Sequence, residues 1–356
     1  MSFITLTGDA MLAYVCRQET SVSDVMERMT STHYVFQIVV DDVGHVAGTV
    51  TDGDIRRALL RGGNLGDHIG ECMMRAPLTG TLGNDSENRQ RLEQVIQRRT
   101  HLGFLPVTDG HRQLTQILIA NELPKVGCSA LVMAGGKGTR LGSHTRHIPK
   151  PLVKVAGRPL LEHVLCRLES GPVDKVYISV HHFAEQIEDY VAARKNLCEI
   201  EFIYEPEPRG TAGALGLLPG PVNSPLLVLN GDVLTEFDTT NLLDFHRSYG
   251  FDATLSVAQH EIDVPFGVVK HDDDGLFKGI DEKPRLQQLI AAGIYLLSHD
   301  FLSLVPRGRP VDMPELLNIG RGFGMKIGLF PIHEYWVDVG RPDDLAAADA
   351  RHRDSG

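Results

Sequence analysis

From Ser129 onward the sequence alternates short apolar runs with amphipathic stretches, and this alternation constrains the fold more than any other feature. Ala130 to Ala134, Lys175 to Val180, Ile200 to Tyr204, Leu226 to Leu229 and Ala253 to Val257 read as strands. Helical patterns at Pro159 to Leu168, Ala184 to Arg194, Thr211 to Leu218 and Asn241 to Arg247 lie between them. Short apolar strands separated by helices predict an α/β fold with a largely parallel sheet covered on both faces. The ligand site of such a sheet lies at the carboxyl ends of its strands.

The preceding residues have a different texture. Pro124 and Gly127 interrupt the chain between Asn121 and Cys128, giving expected domains of 1–125 and 126–356. The first holds a weak duplication, split at about 65/66. One unit has a helix-like stretch at Val22 to Thr30, a strand at Val35 to Val40, a turn at Asp41 to Gly44 and a strand entering Thr51. The other repeats this order with a helix at Arg89 to Arg99, a strand at Gly103 to Thr108, a turn at Asp109-Gly110 and a strand at Leu114 to Ile119. A repeat that buries little by itself is expected to pack on its copy.

The chemistry begins where the first strand after the break ends. Ala134 runs into Gly135-Gly136-Lys137-Gly138-Thr139-Arg140-Leu141, with Pro149-Lys150-Pro151 close behind. Glycines let backbone N–H groups wrap a polyphosphate, while Arg140 and Lys150 supply charge. The run is neither a dinucleotide fingerprint, since Gly142 falls one residue late for G-x-G-x-x-G, nor a P-loop, since no G-K-[ST] closes it. The late glycine weighs against a nicotinamide oxidoreductase.

Net charge argues against a duplex nucleic acid and does not exclude a small polyphosphate, which needs only two or three local cations and backbone N–H groups. With 35 Lys+Arg against 46 Asp+Glu the chain carries −11, whereas nucleic-acid binders show a basic face. No 18-residue apolar stretch predicts a membrane span, and Asp9 interrupts the apolar run of residues 1 to 16, so no secretory signal is expected. The five cysteines form no C-x-x-C pair, which fits a reduced, cytoplasmic setting. The 16 histidines make no H-x-x-x-H or H-E-x-x-H pattern.

The stretch Leu131 to Leu141, with Pro149-Lys150-Pro151-Leu152 and Val155 to Glu162, resembles the signature of nucleoside-diphosphate-sugar pyrophosphorylases, the sugar-1-phosphate nucleotidyltransferases. The resemblance continues in order through Gly210-Thr211-Ala212-Gly213, Asn230-Gly231-Asp232, Phe266-Gly267-Val268-Val269, Glu282-Lys283-Pro284, Ala292-Gly293-Ile294-Tyr295 and Trp336-Val337-Asp338-Val339-Gly340. It implies a Rossmann-like, GT-A-like catalytic domain that joins a nucleoside triphosphate to a sugar 1-phosphate with Mg²⁺. One departure stands out: Gly142-Ser143-His144-Thr145 replaces the R-P-L-T of many members, so any role of that arginine is absent or moved.

Carried onto this sequence, the resemblance makes Arg140, Lys150 and Asp232 catalytic. Ala134, Gly135, Gly136, Gly138, Thr139, Glu205, Gly210, Thr211 and Ala212 would bind the nucleotide. Gly267, Glu282, Lys283 and Gly293 would bind the sugar phosphate, with Glu282 and Lys283 on a strand-like segment. Asp232, ending a strand, and Asp338, in a strand from Tyr335 to Val339, would hold Mg²⁺, which commonly takes one or two carboxylates plus substrate phosphates. Alternatives remain on the residues alone: an Asp after Gly also forms turns and N-caps. Glu205 is either an acceptor for a guanine edge or an exposed turn carboxylate, and Glu282 with Lys283 also reads as a solvated ion pair.

In the first domain, Gly44 to Arg57 resembles the second half of a CBS domain, and the two units together resemble a CBS pair of α+β type. That module commonly binds adenine nucleotides, with the motif hydroxyl and carboxylate falling on Thr51 and Asp54. In the second unit Ile119 and Glu122 occupy the matching positions, which casts doubt on a second equivalent site. The alternative is a structural pair serving only dimerisation, and a homo-oligomer is implied in either case. Chains joining the two modules resemble bacterial sugar-1-phosphate guanylyltransferases of surface-glycan and nonulosonic-acid synthesis. GTP is therefore the favoured donor over UTP, CTP and dTTP, and a non-catalytic nucleotide sensor is the competing class.

Overall fold

The computed structural model describes residues 3–32, 34–98, 103–120, 127–136, 138–220, 222 and 225–354. They divide into two compact units, Met1–Gly127 with Asp238–Phe251 and Cys128–Phe237 with Asp252–Gly356. The boundary anticipated at 125/126 lies outside the described residues, as do Arg99, Pro124, Glu122 and Lys137. Among the described residues no helix is long and apolar enough to cross a membrane.

The second unit is built on a seven-stranded sheet. Its strands are β1 (Cys128–Met133), β2 (Val173–Val180), β3 (Glu199–Tyr204), β4 (Leu226–Asn230), β5 (Ala253–Asp263), β6 (Arg285–Leu297) and β7 (Ile327–Ile332). They lie in the order β3-β2-β1-β4-β6-β5-β7. Strands β3, β2, β1 and β4 run parallel, β5 and β7 pair in parallel, and β6 is antiparallel to both of its neighbours. Burial on both faces explains the unbroken apolar runs: Ala130, Leu131, Val132, Leu226, Leu227 and Val228 are all fully buried. Helix Leu160–Glu169 buries Leu160, Leu161, Val164, Leu165 and Leu168, one stripe at helical spacing.

Two elements differ from the sequence reading. The helix anticipated over Thr211 to Leu218 is a short 3₁₀ segment, Gly213–Leu217, because Gly213 and Gly216 weaken an α-helix at that length. Strand β5 runs past Val257 to Asp263, its outer half exposed on both faces, so no apolar alternation marks it. The hairpin Val268–His271 with Phe277–Asp281 follows this ribbon.

In the first unit the duplication is visible as repeated topology. Val15–Arg17 pairs in parallel with Phe36–Val40, which pairs antiparallel with Val46–Thr51. Gly80–Thr81, Phe104–Thr108 and Leu114–Ala120 repeat that order. Phe36 and Phe104 open equivalent strands, and their rings stack at 4.0 Å and 3°. Around them Ile38, Val40 and Val46 of one repeat share a core with Leu114, Ile117 and Ile119 of the other.

The segment Asp238–Phe251, which the sequence places inside the α/β region, groups with the first unit. It contains helix Thr239–Ser248, capped by Asp238. Tyr249 at its end lies under the Arg57 guanidinium, 4.7 Å from its ring centroid.

Candidate active site

Four parallel strands deliver their carboxyl ends to one edge. Strand β1 ends at Met133 and leads through the buried Ala134 to Gly135 and Gly136. Gly138 adopts the left-handed conformation (φ 61°) and opens the 3₁₀ segment Thr139–Thr145, which contains Arg140. A Cβ at Gly138 would lie 2.9 Å from Lys150 Cβ and 3.1 Å from Thr145 Cγ2, so glycine is required both by φ and by the closeness of Lys150. The Thr145 hydroxyl donates to the Gly138 carbonyl at 2.9 Å and holds the loop closed.

Lys150 is buried to 8% exposure, and its ammonium donates to Asp232 Oδ2. The same nitrogen lies 3.9 Å from Asp338 Oδ1. A second small sheet assembles this trio: Val233–Thr235 pairs antiparallel with Trp336–Asp338, setting Val233 opposite Asp338. Asp232 does not end a strand but sits in the turn between β4 and that sheet, two residues beyond Asn230, and Gly231 before it passes the Met133 carbonyl too closely for any side chain. Burial first, then the Asp232 charge, pushes the Asp338 carboxyl above its usual range, against the pull of Lys150 and Arg140. Arg140 also lies beside Gly340, where a Cβ would stand 3.7 Å from its Nη1.

This arrangement fits a divalent cation. Asp232 Oδ1 and Asp338 Oδ1 are buried and accept no hydrogen bond. Among the described residues no group of three or more His, Cys, Asp or Glu side chains is placed to hold a metal, so the protein offers two carboxylates and substrate oxygens would complete the shell.

The nucleotide-loop candidates gather on the other side of Gly135. A Cβ on Gly135 would stand 3.0 Å from Glu205 Oε1. That oxygen accepts from the Ser179 hydroxyl, and Glu205 Oε2 accepts from the Arg209 N–H at 3.3 Å. Glu205 is therefore a half-buried brace and not an exposed turn carboxylate. Gly210 (φ 77°) passes Asp312 so closely that a Cβ would lie 2.6 Å from its Oδ1. Asp312 Oδ1 accepts from the Thr211 N–H at 2.9 Å, and Met313 N–H donates to Thr211 Oγ1 at 2.8 Å. The Ala212 N–H donates to the Val311 carbonyl at 3.0 Å.

Sequence reasoning missed Asp312; its signal was an Asp directly before Met313-Pro314, an N-cap pattern whose side chain here turns to the distant Thr211. The sugar-side candidates divide between the end of β4, where Gly293 packs, and the exposed hairpin that follows β5, which carries Gly267, Glu282 and Lys283 at its ends. Glu282 and Lys283 occupy an exposed bend between Phe277–Asp281 and β6, not a strand, and Lys283 has φ 47°. A Cβ on Gly267 would stand 3.2 Å from Glu282 Oε1, and one on Gly293 (φ 72°) would stand 2.6 Å from Asn230 Nδ2.

A family model described as Nucleotidyl transferase matches residues 129–355, well over half the chain. The chain belongs to the nucleotidyl transferase family. A CBS domain model matches residues 12–61 of this nucleotidyl transferase. It is 35% identical over 226 residues to the mannose-1-phosphate guanylyltransferase catalytic subunit beta of Drosophila pseudoobscura pseudoobscura, covering 62% of this chain and 61% of the relative. It is 34% identical over 231 residues to the mannose-1-phosphate guanylyltransferase of Mycobacterium tuberculosis, covering 62% and 63%. The chain thus spans less than two thirds of the length of these curated relatives. Among solved structures, HddC from Yersinia pseudotuberculosis complexed with GMP-PN is 28% identical with a TM-score of 0.51, covering 63% of this nucleotidyl transferase and 99% of that chain.

In the first unit Thr51 and Asp54 meet at the start of helix Asp52–Leu60 and form its capping box. Asp54 Oδ2 accepts from the Thr51 N–H at 2.9 Å and its hydroxyl at 2.6 Å, and Oδ1 accepts from Arg57. Asp54, Arg57 and Arg61 line a cavity of about 420 Å³.

Proposed function

We propose that the second unit transfers a nucleotidyl group from a nucleoside triphosphate, GTP foremost, to a sugar 1-phosphate. The product is an activated sugar of the kind consumed in bacterial surface-glycan or nonulosonic-acid synthesis. The observation that carries this reading is the buried Lys150 held between Asp232 and Asp338, beneath a glycine loop that leads to Arg140. The likeness to mannose-1-phosphate guanylyltransferases supports GTP and makes mannose 1-phosphate the first sugar to test.

In this reaction a phosphate oxygen of the sugar 1-phosphate bonds to the α-phosphorus as the bond to the bridging oxygen breaks, and pyrophosphate leaves. Catalysis of such a step is mainly alignment and charge neutralisation. The N–H groups of Gly135, Gly136 and Gly138 line the nucleotide's phosphates, with Ala134 and Thr139 flanking them, and Arg140 takes charge on the departing pyrophosphate. Lys150, fixed by Asp232, neutralises the reacting phosphoryl group. Mg²⁺ held by Asp232 and Asp338 would offset phosphate charge when bound. Glu205 and Gly210 to Ala212 hold the base, and Gly267, Glu282, Lys283 and Gly293 hold the sugar phosphate.

The test is a matrix of GTP, UTP, CTP and dTTP against several sugar 1-phosphates with Mg²⁺, read by coupled pyrophosphatase. Turnover with GTP and mannose 1-phosphate is the expected maximum. Nucleotide binding without pyrophosphate release from any pair would leave the chain a sensor instead.

Control by an adenine nucleotide is the regulatory part of the proposal. It draws support from Asp54, Arg57 and Arg61 around one cavity, although Asp54 would have to give up part of its capping box to meet a ribose. Titration calorimetry of the full chain with AMP, ADP and ATP decides it, and three flat isotherms would remove it.

A further inference from the structure

One cation of the nucleotide loop has no part in the mechanism above. Arg209 stands between Glu205 and Gly210 and is pinned through its backbone on both sides. Its N–H donates to Glu205 Oε2, and its carbonyl accepts from the Val311 N–H at 2.9 Å. The side chain starts across Gly213, where a Cβ would fall 2.3 Å from Arg209 Cβ and 3.6 Å from its Cγ. Any residue but glycine at 213 would displace it.

The guanidinium is held in place but poorly satisfied. The side chain is only 17% exposed, and its Nε is buried with no hydrogen-bond partner. Its carboxylate neighbour is the exposed Glu207, 3.5 Å from Nη2. Buried charged donors are ordinarily saturated, so a guanidinium left short of acceptors beside a substrate loop points to an acceptor that arrives with the ligand.

We propose that Arg209 is a specificity-determining residue that reads the base, its fork donating to O6 and N7 of guanine while Glu205 accepts from the N1–H and N2 amine edge. This rests on the guanylyl reading of the site. Guanine alone among the common bases pairs two acceptors on one edge with two donors on the next, matching an Arg fork and a carboxylate four residues apart on one loop. Adenine presents an amine where guanine has O6, which sets donor against donor. Glu205 retains capacity for this contact, since each carboxylate oxygen accepts two hydrogen bonds.

The experiment compares kcat/KM for GTP, ITP, ATP and UTP in the wild-type chain, Arg209→Met and Arg209→Lys, after thermal melts establish that the variants fold. Arg209→Met is expected to lower kcat/KM for GTP and ITP by about 5- to 150-fold, the worth of one bidentate base contact, and to spare ATP and UTP, with ATP rising where the donor-against-donor clash is relieved. Arg209→Lys, which keeps the charge and loses the fork, is expected to recover only part of the GTP preference. An equal loss for all four nucleotides, the signature of a phosphate contact, would overturn the assignment, as would unchanged selectivity. If Arg209→Met does not fold, the Lys variant alone decides between these outcomes. A wild-type chain that turns over no nucleotide, or prefers UTP, defeats the guanylyl reading itself before any variant is made.

Discussion

Val339 donates its backbone N–H to the carbonyl of Asp232 at 3.1 Å. This bond extends the pairing of Val233–Thr235 with Trp336–Asp338 and carries Asp338 to the side of Asp232 from a distant part of the chain. Two carboxylates so placed repel each other, and Lys150 is the cation that holds them together.

Lys150→Met should therefore do more than remove a substrate contact. Asp338, already pushed upward by burial and Asp232, loses one of its two compensating cations and moves further in that direction. We expect kcat to fall about 10²- to 10³-fold, the usual cost of losing one preorganised donor to a developing oxyanion. Steady-state pyrophosphate release measures it, and a loss under threefold would take Lys150 out of the chemistry.

Gly138→Ala and Gly136→Ala separate two kinds of glycine. At Gly138 the left-handed backbone disfavours alanine by about 1–2 kcal/mol, and the new methyl would press on the Lys150 stem at 2.9 Å. At Gly136 a Cβ meets nothing within 4 Å. Urea denaturation should find the first variant destabilised and the second near the parent, and equal midpoints would refute the packing argument.

Glu162 should make stability depend on pH in a defined window. Burial raises its carboxyl, but hydrogen bonds from Arg194 (2.8 Å), Tyr190 (2.6 Å) and Cys166 outweigh that and hold it at about 2. A carboxylate lower in the folded than in the unfolded chain stabilises fully above its unfolded value, and that stabilisation is lost as pH falls toward about 2. Glu162→Gln is expected to cost roughly 2–3 kcal/mol at pH 7. Denaturation at pH 7 and pH 3.5 should show the gap between parent and variant narrowing in acid; a gap that widens would reverse the sign.

Asp54→Ala removes the acceptor for two Thr51 donors and for Arg57. Loss of such a cap costs about 1–2 kcal/mol, and the charge left on Arg57 adds to it. A Tm indistinguishable from the parent would mean that the capping box adds nothing to the first unit.

Much of this was legible in the sequence for identifiable reasons. Strands β1 and β4 are buried on both faces, so their apolar runs could be read directly, and the candidate site lies at the strand ends where parallel topology puts it. Phe36 and Phe104 stack because the repeat places them at equivalent positions, a relation already contained in the duplicated pattern. Asp312 was hidden because its partner Thr211 lies far off in sequence, and local reading sees only an N-cap. The bend at Glu282 and Lys283 was hidden too, since an exposed ribbon carries no hydrophobic period to mark where its strands stop.

The grouping of Asp238–Phe251 with the first unit means that the chain passes between units at 127/128, 237/238 and 251/252. No single cut then yields two whole pieces. Proteolysis between 121 and 126 would strip the amino-terminal fragment of Tyr249, on which Arg57 rests, and leave the other fragment with a helix severed from the unit it groups with. The two modules are interleaved along the chain and are not exchangeable cassettes. Grafting a different amino-terminal module onto this transferase would require replacing residues 238–251 along with it.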